Sequence, residues 1–295
     1  MTATDRTLTV AETGPLTLVE DMGRPGHADT GVTGSGAFDR ASARQANVAV
    51  GNPPDAPLLE VLLGGLDVTA GCPVTVAVTG IDAPLTVHPA AGRARPGHTR
   101  TVVRLAAGDR LVLGTATSGL RGYVAFSGGV DAAFVLGSAS TDTLGSLGPA
   151  PVAPGPLHLG PPAGAGDAPP HRRGGFLPPL RPTAVVVDVV PGPREDRVAP
   201  ESVETFYTRV YRVTPQSDRV GVRLDGPPLT TLGGSLPSEG TVRGTIQVPP
   251  SGVPTVFGPD HPVTGGYPVI GAATPESVDA LAQAAPGTEV RFRRV

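Results

Sequence analysis

The chain has 295 residues, a length that allows one large domain or two domains of medium size. Its net charge of -3 gives no electrostatic footprint for nucleic acid or an anionic membrane, so we expect neither as a partner. No apolar run approaches the roughly 20 residues that span a bilayer. A single cysteine, Cys72, excludes an internal disulfide and favours a reducing, cytoplasmic setting.

Lysine is absent, and all 23 strongly basic residues are arginine. This excludes a lysine Schiff base, a Walker-A phosphate loop and biotin attached covalently to a lysine of this chain. Arginine binds carboxylate or phosphate bidentately, but it is always charged and is a poor general base. The six histidines lack metal-ligand spacing, so the sequence predicts no metal site.

In the first half of the chain, abundant glycine and proline predict short strands joined by tight turns. Residues 8–20 predict a pair of strands around Gly14-Pro15, and a helix should run from Asp39 to about Val50. Further strands are predicted at Leu58–Leu63, Val74–Thr79, Leu85–His88, Thr101–Leu105, Arg110–Leu113 and Gly122–Phe126. We therefore expect a β-rich N-terminal domain, a barrel or a sandwich, over residues 1–160.

A proline- and glycine-rich linker is predicted at residues 161–182, followed by a second β-rich domain at residues 183–295. Its strands are expected at Ala184–Val190, a continuous β-branched run that suits a buried strand, and at Val248–Phe257, Val269–Ala272 and Glu289–Arg293. Helices are expected at Pro200–Tyr207 and from Thr274 to Ala285. The predicted fold class is mainly β, with two β-rich halves and a few short helices.

The first candidate binding segment is the glycine-rich loop Gly23–Gly36. Glycine lets a ligand approach the backbone closely, and the N-terminus of the following helix suits an anion. Arg24 and Ser35 are its candidate binding residues. The alternative is an ordinary turn with Asp39 as the helix cap.

The second candidate is a substrate clamp in Gln216-Ser217-Asp218-Arg219. Arg219 would pair with a carboxylate or phosphate, while Gln216 and Ser217 would hydrogen-bond an amide. Asp218 is a candidate catalytic carboxylate. The alternative is a turn in which Asp218 forms a salt bridge with Arg219 or Arg223.

The third candidate is a series of polar residues that alternate with strand residues, as expected at the mouth of a barrel. Glu239 and Asp260 are candidate catalytic carboxylates, which could handle protons or a magnesium ion. The candidate binding residues are Arg243, Gln247, Thr264, Gly265, Gly266 and Tyr267. We expect Arg219, Arg243 and the turn Gly265-Gly266-Tyr267, here called the Gly-Gly-Tyr turn, to share one pocket for a small anionic amide. The alternative is a set of turns at strand ends.

The order of these motifs resembles one family over nearly the whole chain. The matching strings are Asp21-x-Gly23-Arg24-x-Gly26, Gly31-Val32-x-x-Ser35-Gly36-Ala37, Arg121-Gly122-Tyr123, Ser217-Asp218-Arg219-x-Gly221, Ser238-Glu239-Gly240, Ile246-Gln247-Val248-Pro249 and Thr264-Gly265-Gly266-Tyr267-Pro268. The chain thus resembles the KipA-like proteins, a family that includes the C subunits of 5-oxoprolinase and is also known as biotin-dependent carboxyltransferase or allophanate hydrolase subunit 2-like.

The resemblance implies cyclophilin-like β-barrel architecture and an enzyme subunit. The implied activity is ATP-dependent opening of 5-oxoproline to glutamate, together with a KipI-like companion (the B subunit of 5-oxoprolinase) and a lactam-hydrolysing A subunit. ATP and magnesium would bind here or on a partner. One alternative is a carboxyltransferase subunit that uses carboxybiotin and a urea-like acceptor. Another is a non-catalytic regulator that antagonises KipI.

Overall fold

The computed structural model describes residues 6–162, 184–233 and 236–295, and within them the protein is mainly β, as predicted. The chain divides into two compact units. The first unit comprises the described residues up to Gly23, Asp39–Thr141, and Leu147 onward to residue 162. The second comprises Arg24–Phe38, Asp142–Ser146 and the described residues from 184 to the end. The predicted linker lies outside the described residues from residue 163 onward.

The first unit consists of two antiparallel sheets around one apolar core. Its strands are β1 (Thr7–Thr13), β2 (Leu16–Glu20), β3 (Leu58–Leu62), β4 (Leu66–Ala70), β5 (Val74–Thr79), β6 (Pro84–His88), β7 (Arg95–His98), β8 (Val102–Leu105), β9 (Arg110–Leu113), β10 (Arg121–Phe126) and β11 (Gly155–His158). One sheet has the order β11-β1-β4-β9-β6-β7 and the other β2-β3-β10-β5-β8. Both sheets contribute buried residues to the core, including Leu8 and Val68 from the first and Val76 and Val124 from the second.

The first two strands form as predicted, but the expectation that they pair with each other is wrong. β1 pairs with β4 and β11, whereas β2 pairs with β3 in the other sheet. The chain passes between the sheets at Gly14, whose φ is 67°. A side chain there would collide with the Gly64 carbonyl oxygen, so this crossing requires glycine.

The helix of the first unit, α1 (Arg40–Ala49), begins where the sequence predicted. The Asp39 carboxylate accepts a hydrogen bond from the Ser42 backbone N–H at 2.9 Å, which satisfies one of the unpaired donors at the helix start. Ala43 and Ala46 are buried on one helix face, and the helix contacts β5 and β10. The small alanines let the helix lie close to the sheet.

The second unit contains a closed seven-stranded barrel. The strands of this unit are β12 (Ala184–Pro191), β13 (Tyr211–Val213), β14 (Gly221–Asp225), β15 (Glu239–Gly240), β16 (Thr245–Gln247), β17 (Thr255–Phe257), β18 (Thr264–Gly265), β19 (Val269–Ala273) and β20 (Glu289–Arg294). The barrel order is β12-β19-β16-β17-β14-β13-β20, and parallel pairing of β12 with β20 closes it. Strands β15 and β18 form a separate two-stranded ribbon. The barrel confirms the predicted β-barrel architecture.

Two helices pack on the barrel strands. α2 (Pro200–Thr208) contacts β20, and α3 (Pro275–Ala282) contacts β12. Both have proline in the first turn, where its missing N–H costs nothing. α3 is capped by Thr274 as predicted, but it ends at Ala282 rather than Ala285. No helix in the described ranges is both long and apolar enough to cross a lipid bilayer.

Two strand predictions in this unit are wrong. β12 is buried on one face only, since its valines alternate and Val186 and Val190 are about half exposed. The predicted strand Val248–Phe257 is interrupted, because only Thr255–Phe257 is extended and paired. Prolines 249 and 250 remove two backbone donors, and Gly252 has a φ of 79°, so the chain turns between β16 and β17.

Candidate functional site

A cavity of about 300 Å³ lies in the second unit beside strands β14, β16, β17 and β18. Five of the predicted binding residues line it: Gln247, Thr264, Gly265, Gly266 and Tyr267. Apolar walls come from Val220, Pro249, Phe257 and Pro262. Apolar walls with a few polar groups are typical of small-molecule sites, whose volumes range from about 300 to 1,000 Å³.

The β15–β18 ribbon positions the Gly-Gly-Tyr turn at this cavity. Gly265 lies opposite Glu239 in the ribbon, and the buried Gln247 contacts the Tyr267 carbonyl oxygen through Nε2 at 3.5 Å. A Cβ at Gly265 would collide with the Gln247 carboxamide. Glycine at this position therefore lets the carboxamide lie against the turn and form part of the cavity wall.

A second, more open depression of about 220 Å³ shares Arg223, Pro249 and Thr255 with the cavity. The predicted binding residue Gln216 lines this depression, not the cavity. Ser217, which was predicted to bind an amide, accepts a hydrogen bond from the Arg223 N–H at 3.0 Å and donates one to the Arg223 carbonyl at 3.1 Å. Ser217 thus fixes the backbone of Arg223.

Asp260 and Arg219 form a buried ion pair within the second unit. Arg219 Nε donates to Asp260 Oδ2 at 2.9 Å, and Nη2 donates to Oδ1 at 3.1 Å. Ser35 Oγ donates to Oδ1 at 2.7 Å, and Thr143 donates to Oδ2 through its N–H at 3.0 Å and its hydroxyl at 2.7 Å. The carboxylate thus connects two loop segments, Arg24–Phe38 and Asp142–Ser146, to the barrel chain.

The electrostatics of Asp260 follow from this arrangement. Burial opposes its charge, but the charge of Arg219 and the hydrogen bonds from Arg219 and Thr143 outweigh burial, so the pKa of Asp260 lies below its ordinary value. Asp260 is fully buried and does not line the cavity. The catalytic role predicted for it stays a prediction, and its observed contacts support a structural role.

The expectation that Arg219 and Arg243 share one pocket with the Gly-Gly-Tyr turn needs correction. Neither arginine lines the cavity. Arg219 also donates to the Gly36 carbonyl at 2.8 Å, while Arg243 donates to the Phe38 carbonyl at 2.8 Å and to Asp279 Oδ1 at 2.5 Å. Arg24 is fully buried, and its backbone N–H donates to the Gly34 carbonyl at 2.6 Å. The guanidinium groups of Arg219 and Arg243 are thus bound by groups of their own chain.

The other two predicted catalytic carboxylates also have partners within the chain. Arg194 Nε donates to Glu239 Oε1 at 2.8 Å, and this hydrogen bond holds the pKa of Glu239 below its ordinary value. Asp218 accepts hydrogen bonds from the backbone N–H groups of Val220 and Gly221 at 2.9 and 3.0 Å. It therefore stabilises a turn through the backbone, whereas the sequence alternative was a salt bridge with Arg219 or Arg223.

Comparison with known proteins identifies the family. The chain matches the model of the carboxyltransferase domain, subdomain A and B, over residues 30–294. It belongs to this family. The carboxyltransferase-domain chain is 32% identical to the C subunit of 5-oxoprolinase from Escherichia coli (strain K12), over 97% of its own length and 90% of that protein. It is 31% identical to urea amidolyase of Saccharomyces cerevisiae, over 95% of its length but only 16% of that protein.

A solved structure contains a fold similar to that of this chain. The structure of TTHA0988 is 35% identical with a TM-score of 0.84, and the match covers 98% of this chain but 55% of that one. The present chain therefore spans about half of TTHA0988 and nearly all of the Escherichia coli relative.

Sequence reasoning missed three residues at the site of this carboxyltransferase-domain chain. Arg223 lines both depressions, Arg194 pairs with Glu239, and His261 stacks on the cavity residue Phe257 with ring centroids 5.9 Å apart. Burial lowers the pKa of His261, which favours the neutral ring. Of the three, only Arg223 could have been found from its sequence neighbours. It alternates with the apolar residues Val222 and Leu224, a pattern that predicts an exposed position in a strand.

The first unit contains its own buried polar groups. Tyr123 donates its hydroxyl hydrogen to Glu60 Oε2 at 2.9 Å and accepts from the Asp39 N–H at 2.7 Å. Burial, reinforced by the charge of Glu60, raises the pKa of Tyr123 well above its ordinary value. The phenol is therefore a hydrogen-bonding group that joins the start of α1 to the sheet.

Proposed function

We propose that this chain is one subunit of an ATP-dependent 5-oxoprolinase complex that opens 5-oxoproline to glutamate. The observation that carries the proposal is the match to the 5-oxoprolinase C subunit over 97% of this chain and 90% of that protein. The cavity supports it, because its volume of about 300 Å³ suits a small ligand and its lining offers amide-binding groups. The Gln247 carboxamide and the Thr264 hydroxyl can donate and accept hydrogen bonds.

The substrate explains why ATP is needed. A lactam resists water because resonance stabilises its amide bond, and ATP, when bound, supplies the phosphoryl group that activates the amide oxygen. The residues of this cavity do not fit magnesium–ATP, since the described lining contains no aspartate or glutamate to hold the metal ion. We therefore assign nucleotide binding to a companion protein of the complex, and the task of this chain is to hold and orient the amide.

We propose a KipI-like B subunit and a lactam-hydrolysing A subunit as the partners, in a cytoplasmic assembly. The name of the Escherichia coli relative, which marks it as one of several subunits, supports such companions. A second candidate function is carboxyltransfer from carboxybiotin to a urea-like acceptor. The family match and the urea amidolyase relative favour it, and the biotin would be carried by another protein or domain because lysine is absent here.

Reconstitution with the companion subunits tests the proposal. We expect glutamate to form from 5-oxoproline and ATP only when this chain is present, because it supplies the amide-binding cavity. Glutamate release is measured with and without the chain, alongside urea-dependent consumption of carboxybiotin. Equal glutamate release in its absence would contradict the proposal, and carboxybiotin consumption would favour the second function.

The matched pair Gly265→Ala and Gly240→Ala, both in the β15–β18 ribbon, tests whether the cavity binds substrate. A methyl group at residue 265 displaces the Gln247 carboxamide, whereas a methyl group at residue 240 meets no atom of the described residues within 4 Å. Neither glycine has a positive φ, so both backbones tolerate alanine. Loss of one hydrogen bond of about 1.4 kcal/mol predicts a roughly tenfold higher KM for Gly265→Ala.

The Gly240→Ala variant should keep the KM of the parent complex, because residue 240 does not line the cavity. Steady-state kinetics of the assembled enzyme measure both values. If the two variants behave alike, the Gln247 wall does not contact substrate.

A further inference from the structure

Arg223 occupies a fixed position on the barrel wall. It lies in the middle of β14, between the buried residues Val222 and Leu224, so its own side chain points outward. Its carbonyl oxygen accepts hydrogen bonds from the Thr214 N–H at 2.9 Å and the Thr214 hydroxyl at 3.1 Å, in addition to the Ser217 contacts described above. The backbone that presents this arginine is thus held on both sides of the residue.

The guanidinium group of Arg223 differs from those of the other site arginines. Arg219, Arg243 and Arg194 each form an ion pair with a carboxylate of the second unit. Within the described part of the chain, the Arg223 guanidinium has no hydrogen-bond or ion-pair partner. Its side chain lines the cavity and the adjoining depression, and among the described residues neither lining includes an aspartate or glutamate. In its described lining, the cavity therefore has one unneutralised cation, Arg223, and no carboxylate that competes for it.

We propose that Arg223 is the carboxylate-binding residue of this cavity, and that it selects small amides bearing a carboxylate over neutral amides such as urea. A guanidinium group binds a carboxylate through two parallel hydrogen bonds, which fixes orientation as well as affinity. The amide of the same ligand then meets the side chains of Gln247 and Thr264, which line the same cavity as Arg223. The choice of a lactam rests on the proposed function, while carboxylate binding by Arg223 rests on the geometry alone.

The test compares three probes on three proteins. The probes are 5-oxoproline, 2-pyrrolidinone, which is the same lactam without the carboxylate, and urea. The proteins are the full chain, its Arg223→Gln variant and its Arg291→Gln variant. Arg291 is the matched control, because it is an exposed arginine in the middle of barrel strand β20 and lines neither depression. Circular dichroism melting confirms that each variant is folded.

Ligand-observed NMR titration measures the Kd of each probe. We expect the full chain to bind 5-oxoproline more tightly than 2-pyrrolidinone or urea. Arg223→Gln should weaken 5-oxoproline binding at least tenfold and leave 2-pyrrolidinone unchanged, while Arg291→Gln should match the parent. The inference is overturned if Arg223→Gln binds 5-oxoproline as the parent does, or if the parent binds the two lactams equally.

Turnover in the assembled complex separates this inference from the proposed function. If no glutamate forms but Arg223→Gln still loses carboxylate binding, the proposed function fails and the inference stands. If glutamate formation requires the chain but Arg223→Gln leaves the KM for 5-oxoproline unchanged, the inference fails and the proposed function stands.

Discussion

Replacement of Asp260 by alanine is expected to lower the free energy of unfolding by about 3–5 kcal/mol, the cost of removing one partner from a buried ion pair. Arg219 is only 4% exposed, so its charge would be left inside the protein without its carboxylate. Ser35 and Thr143 would lose their acceptor in the same step. Denaturant unfolding followed by circular dichroism measures the change.

Hydrogen exchange gives a local readout of the same variant. The Thr143 N–H donates directly to Asp260 Oδ2, so its exchange should accelerate in Asp260→Ala. The matched control is Asp188→Ala, because the partner of Asp188 is the exposed Arg293, and we expect a much smaller effect there. Equal unfolding curves for the two variants would show that Asp260 is not a structural centre of this unit.

The dependence of the unfolding free energy on acid pH distinguishes the charge of Asp260 from its packing. Because the folded-state pKa of Asp260 is depressed, its contribution is present above the ordinary aspartate pKa of about 3.9 and is lost as pH falls through the lower folded value. The parent should therefore lose this part of its stability below about pH 4. The Asp260→Asn variant cannot titrate at this residue. Its unfolding free energy should therefore fall less than that of the parent as the pH drops below about 4.

Local patterns in the sequence were sufficient for most of the elements. Val74–Thr79 and Arg110–Leu113 were predicted with the observed bounds, because period-two alternation is a property of the strand itself. The start of α1 was predicted because the Asp39 cap lies next to the helix that it stabilises. The pairing of β1 and β2 was wrong, since strand partners depend on contacts between distant residues.

The candidate site shows the same limit. The sequence offered Arg219 and Arg223 four residues apart, and the strand position of Arg223 did not show which of the two would lack a carboxylate partner. The buried partner of Arg219 is Asp260, 41 residues further on, and Asp260 also binds Ser35, 225 residues earlier. Choosing the arginine that is left for a ligand requires knowing which one the fold neutralises. The Gly-Gly-Tyr turn was easier to predict as part of a cavity, because Gly265, Gly266 and Tyr267 are consecutive in the sequence.

In the first unit, replacement of Asp21 by alanine should lower the unfolding free energy about as much as Asp260→Ala does in the second unit. Its carboxylate accepts hydrogen bonds from the Gly23 N–H at 2.7 Å, the Ser138 hydroxyl at 2.6 Å, the Ser140 hydroxyl at 2.5 Å and the Ala139 N–H at 2.7 Å. Each buried donor left without an acceptor costs about 1–3 kcal/mol, so we expect a total loss of at least about 3 kcal/mol in unfolding free energy.

The loss should be concentrated in the turn that Asp21 anchors. Leu136 has a φ of 53°, a conformation that is unfavourable for a branched side chain, and the nearby Ser138 is held by the Asp21 carboxylate. Exchange of the Ala139 amide should therefore accelerate in Asp21→Ala but not in Asp55→Ala, which alters an exposed aspartate of the same unit. A double-mutant cycle with Ser138→Ala should give a coupling energy well above zero. Strict additivity of the two substitutions would mean that Asp21 does not anchor the turn through Ser138.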